Sequence, residues 1–124
     1  TWGRNEDTAT SSTNVGTIVR LRTEIANPGN ASSSQMFLLQ YGTGTDPKSG
    51  TWTTILDSSS CGTSPFCMNA SSLTENSATT NVASGLTDAE TTFVAGFQKE
   101  TTATTTHISL PLNNFTEIEH AKSL

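Results

Sequence analysis

The stretch from Gln35 to Leu56, QMFLLQYGTGTDPKSGTWTTIL, decides the fold. Phe37, Leu39 and Tyr41 alternate with Met36, Leu38 and Gln40, so the two sets point to opposite faces of a strand. The run carries no charge and is short for a helix, which favours a strand with at least one buried face. GTGTDPKSG follows, and its Gly, Pro, Asp and Ser residues turn the chain back. TWTTIL then resumes, with Trp52, Thr54 and Leu56 on one face and Thr53 and Ile55 on the other. The stretch predicts a β-hairpin with a loop of about nine residues, which sits among the longer hairpin connections.

A second strand is predicted on its N-terminal side, over Thr17 to Ala26 (TIVRLRTEIA). Val19, Leu21, Thr23 and Ile25 take one face; Ile18, Arg20, Arg22, Glu24 and Ala26 take the other. That is the alternation of an antiparallel sheet with one wet face. Arg20, Arg22 and Glu24 read as a solvated charge row that discourages edge aggregation. NPGN then makes a turn, with Pro28 presetting φ and Gly29 permitting a positive one.

On the C-terminal side, Thr91 to Lys99 reads as a strand with Gly96 at a bulge. Ile108, Leu110 and Leu112 share a face, and Pro111 marks a strand end. Phe115 to Ala121, FTEIEHA, alternates again, with Glu117 and Glu119 expected along a solvated edge. Ser72 and Glu75 fit a capping box, but the threonines after them do not sustain a helix. The fold class predicted is all-β: one antiparallel β-sandwich of about seven strands over residues 1–124. Val19, Leu21, Ile25, Phe37, Leu39, Trp52, Phe93 and Ile118 are the expected core.

Composition narrows the function. Thr and Ser supply 40 of the 124 residues, 24 of them Thr, and charged residues make up only 14%, with a net charge of −5. Thr is β-branched and suits strands. Low Lys and Glu with abundant Thr points to an extracellular or cell-surface protein. Six dispersed Lys and Arg exclude a phosphate-binding surface, so no nucleic-acid partner is expected. No apolar run approaches the length of a membrane span.

The chemistry-bearing residues are few. Cys61 and Cys67 are the only cysteines. With no His beside them they make a poor zinc site, and they are not a CxxC motif. In an exported chain they predict a disulfide closing a small Gly/Pro loop. His107 and His120 have no metal-ligand spacing, so no metal or cofactor is expected. There is no GxSxG elbow, Walker loop or Rossmann fingerprint, and the chain reads as non-enzymatic. Asn30, Asn69 and Asn114 each open an N-x-S/T sequon and are candidate glycosylation sites.

RLRTEIANPGNASSSQMFLLQYG, followed by GTWTTI, resembles a β-sandwich repeat of surface proteins from uncultivated, candidate-phyla bacteria. NVASGLTDAETTFVAGFQKE and FTEIEHA continue the resemblance, which runs from about Asn5 to Ala121. It implies a fibronectin- or immunoglobulin-like sandwich on a cell surface, with a further aromatic-containing strand after FTEIE. Either the sequence is cut short of that strand or a neighbour supplies it by β-strand addition, the arrangement expected here. Residues 1–16 are the expected exchanging segment, with Trp2 as the anchor. Two functions remain. One is a structural subunit of a filament, pilus or surface layer, built as a homopolymer. The other is a carbohydrate- or host-binding adhesin module that uses exposed aromatics such as Trp2, Trp52 and Tyr41 to hold glycans.

Overall fold

A computed structural model of the chain describes residues 5, 6, 8, 13–70 and 73–123. Trp2, Ser72 and most of the expected exchanging segment lie outside the described residues. All regular structure in them is β: β1 (Ile18–Asn27), β2 (Ser33–Gln35), β3 (Gln40–Thr43), β4 (Thr51–Thr54), β5 (Cys67–Met68), β6 (Thr92–Lys99), β7 (Ile108–Leu110) and β8 (Asn114–Ser123). The hairpin forms as read, with Gln40 opposite Thr54 and Thr43 opposite Thr51. Its first strand starts later than expected. Phe37 pairs instead with Thr105, and Leu39 is bonded on both sides: its N–H donates to the Ala103 carbonyl and its carbonyl accepts from Ile55 N–H, so the segment extends the β2–β7 ladder.

β8 organises the main sheet. It pairs antiparallel with β1 along its whole length, from Ile18 opposite Ser123 to Asn27 opposite Asn114. On its other side lie β6, and then β5 opposite its last residues. The β6–β8 pair is parallel, a departure from the wholly antiparallel sandwich. A parallel neighbour needs a crossover, and residues 100–113, including β7, supply it.

Gly96 makes the close approach of β6 to β8 possible. The register slips between Ala95 and Gln98, the bulge expected there. A Cβ at Gly96 would lie 2.3 Å from the Glu117 carbonyl oxygen, so no larger residue fits. The outer edge of β6 is sealed by residues 76–79. Asn76 N–H donates to the Gln98 carbonyl, Gln98 N–H to Ser77 and Thr79 N–H to Gly96.

The core differs from the one expected. Ile118 is fully buried, but Val19, Leu21, Ile25, Phe37, Leu39 and Phe93 are half-buried. Trp52 is 47% exposed. Its ring lies over Gly42, directly opposite on β3, and its Nε1–H reaches the Pro47 carbonyl at 3.0 Å. The indole therefore covers its own hairpin rather than an inter-sheet core. The buried cluster is instead Ile55, Met68 and Ala103, with Leu39, Tyr41 and Phe66 against it. Cys61 and Cys67 are joined as a disulfide, Cα–Cα 5.4 Å. The bridge ties the 61–66 loop to β5.

Candidate functional site

β8 is buried on both faces from Phe115 to Lys122. Glu117 and Glu119, expected on a solvated edge, have 0% and 2% exposure. β8 lies between β1 and β6, so neither carboxylate sits on an edge. Both point to the face that carries Arg20, Arg22 and Glu24 of β1, because antiparallel register sets Glu117 opposite Glu24 and Glu119 opposite Arg22. The supposed wet face is covered by the segment from Thr79 to Ala89.

The arginines meet these carboxylates. Arg22 Nε donates to Glu117 Oε2 at 2.7 Å, Nη1 to Glu119 Oε2 at 3.1 Å and Nη2 to the Thr80 carbonyl at 2.8 Å. Arg20 Nε donates to Glu119 Oε1 at 2.6 Å. The covering segment adds Val82 N–H to Glu117 Oε1 at 2.8 Å. The Thr79 hydroxyl donates to the Glu117 carbonyl and accepts from Gly96 N–H. Charges buried this deeply persist only when paired and hydrogen-bonded. The solvated-row reading of Arg20 and Arg22 is thereby corrected: Arg22 keeps only 6% of its side chain exposed, Arg20 47%.

Glu24 ends this row. Its Oε1 accepts from Ala89 N–H at 2.7 Å, while Oε2 is buried without a partner. Loss of water pushes its carboxyl up from the usual range; the Ala89 amide opposes this, and the negative charges of Asp88, Glu117 and Glu6 add to it. Carboxylate oxygens of Glu24, Asp88 and Glu117 lie within 4.8 Å of one another. Among the described residues, these three are placed to hold a hard cation together, since such ions take oxygen ligands.

A second ionic knot joins the 73–79 segment to β6. Glu75 accepts from Lys99 Nζ, from Glu100 and Thr101 N–H and from the Thr102 hydroxyl. Burial opposes ionisation of Glu75, but these donors outweigh it and bring its pKa to about 2. Lys99 also donates to Asn76 Oδ1 at 2.7 Å. Glu75 thus serves as a brace, not as the end of a capping box. Nearby, His120 holds the Ala103 carbonyl at 3.3 Å through Nε2, and its Nδ1 is buried without a partner. Burial depresses the His120 pKa, against the pull of that carbonyl. Burial also lowers that of Lys122, whose Nζ sits 4.5 Å from the Phe66 ring centroid.

The other candidates from the sequence are scattered. Asn30 is exposed in the turn after β1, and Asn69 is half-buried after β5. Asn114 opens β8, and the Thr116 of its sequon is fully buried. Tyr41 and Trp52 do not form one platform. Gly42 is opposite Trp52 and Tyr41 opposite Thr53, so the two aromatics point to opposite faces of the hairpin. Tyr41 packs edge-on against Phe66 at 4.8 Å.

The paired rows were missed although a signal existed: RLRTE and EIE repeat charge at period two with opposite signs. The knot of Glu75 and Lys99 left no such pattern. No helix among the described residues is long and apolar enough to cross a membrane. Taken together, these features define an all-β protein with a charged layer buried against its central strand. Comparison with protein-family models, curated proteins and solved structures finds no match.

Proposed function

We propose that this chain is a non-enzymatic structural subunit of an extracellular filament, pilus or surface layer, and that subunits join by β-strand addition at the outer edge of β1. One observation carries the reading. Among the described residues, the ten-residue β1 is paired on the β8 side only. An unpaired edge of this length offers backbone N–H and C=O groups to another strand. Its side chains are incompletely covered as well: no residue of β1 is fully buried, and Ile18 is 45% exposed. The Thr-rich, weakly charged composition and the resemblance to surface repeats support the same reading. The disulfide suits an oxidising compartment.

Electron microscopy of native material, with sedimentation of the purified chain, tests the proposal. Assemblies are expected, and Ile18→Lys with Thr23→Lys should disperse them into monomers of unchanged thermal stability. Native material that is monomeric, or edge-charged protein that assembles as before, overturns it.

A glycan-binding role draws support from the exposure of Trp52. Tyr41 faces away from it, so only a single ring is presented. Loss of glycan-array binding in Trp52→Ala would favour this role over assembly.

A further inference from the structure

We propose that the strand received by β1 is the β1 of a second copy, antiparallel about a two-fold axis, with Thr23 opposite Thr23. The inference rests on the strand-addition reading and names its occupant and register. β1 carries Arg20, Arg22, Glu24 and Ala26 on one face and Val19, Leu21, Thr23 and Ile25 on the other.

With the axis at Thr23, Arg22 of each copy stands opposite Glu24 of the other, and Leu21 opposite Ile25. Opposite charges and apolar pairs placed directly across an antiparallel ladder are the favourable ones. Arg20 then faces Ala26, a small residue, and is the diagonal neighbour of Glu24 of the second copy, within reach of a long side chain. Centring the axis on Arg22 sets arginine against arginine. Centring it on Glu24 sets glutamate against glutamate. The sequence IVRLRTEIAN is thus self-complementary about one residue.

Glu24 is also the carboxylate of the layer that is a donor short, and Asp88, Glu117 and Glu6 add their negative charge around it. Arg20 of the second copy, 47% exposed in its own chain, brings positive charge toward that excess, while Arg22 stays bonded to Glu117, Glu119 and Thr80 of its own copy. Thr23, at the axis, is exposed, so nothing in the described chain blocks it. The contact would join two four-stranded sheets into one of eight strands. A two-fold contact closes on itself, so the pair is the building block and a larger assembly grows through a second surface.

Thr23→Cys tests the register, with the exposed Thr106→Cys as control for random collision. Mild oxidation should convert most of the Thr23→Cys protein to a covalent dimer, with loss of the monomer band under non-reducing conditions. Thr106→Cys should stay monomeric. The wild-type chain should sediment as a dimer that Thr23→Lys dissociates. If Thr23→Cys resists cross-linking while the wild type assembles and charged edge variants do not, the self-pairing is wrong and strand addition stands. Loss of assembly on deleting residues 1–9 would then identify the N-terminal segment as the occupant. If no assembly forms at all, both ideas fall.

Discussion

β1 and β8 are both ten residues long and are paired residue for residue, yet eight residues of β8 are buried and none of β1 is. Their patterns are alike: each alternates apolar and charged side chains. The difference is position. β8 has a strand on each side and a covered surface above and below, so even its glutamates, His120 and Lys122 are enclosed. β1 has a neighbour on one side only among the described residues. A charge on β8 must be matched inside the molecule, and Arg22 of β1 is matched there too, whereas Arg20 of β1 stays 47% exposed and can still be met from outside.

The sharpest way to break this comparison is to neutralise two glutamates that face each other. Glu117→Ala leaves the buried Arg22 Nε–H and the Val82 N–H without their acceptor and should cost about 3–5 kcal/mol. Glu24→Gln, directly opposite, removes a like-charge contact and should be neutral or gain up to about 1 kcal/mol. Urea titration of both variants decides the matter. Equal losses would mean that β1 and β8 are equivalent.

Next comes the other face. Ile118→Ala should cost about 3 kcal/mol, as expected for a fully buried aliphatic side chain. Its cross-strand partner, the exposed Thr23, should change stability by less than about 0.5 kcal/mol on substitution by Ala. The same titrations read both.

The disulfide tests how firmly the end of β8 is held. Cys67 pairs with Ser123, so reduction frees the loop beside that pairing. Replacing both cysteines with Ser should cost roughly 2–3 kcal/mol. Mass spectrometry after alkylation without reductant should find neither cysteine modified in the folded wild type; two modified cysteines would refute the bridge.

The smallest effect is on pH dependence, and its sign differs between the strands. His120 on β8 has a depressed pKa, so the unfolded chain takes up the proton first and stability drops as pH falls below about 6.5. Glu75, with its pKa at about 2, adds stability that is complete above the ordinary carboxylate range, near 4.3, and is lost as pH falls further. Glu24 on β1 has a raised pKa, so acid relieves its repulsion instead. Thermal unfolding followed from neutral to acid pH should show a decline at the histidine stage that His120→Gln removes. An unchanged profile in that variant would place the titration elsewhere.

The sequence by itself determined the all-β class, the hairpin around Gly42 to Gly50, the extents of β1 and β6, the bulge at Gly96 and the Cys61–Cys67 pair. Each follows from period-two alternation, turn chemistry or residues close in the chain, and these are local. Tertiary structure alone decided which strand is central. It enclosed Glu117 and Glu119, left Trp52 outside, made β6 parallel to β8, and joined Glu75 to Lys99. Alternation states that a strand has two faces but not what covers either of them. Register between segments some 95 residues apart, as for Arg22 and Glu117, is set only when the whole sheet assembles.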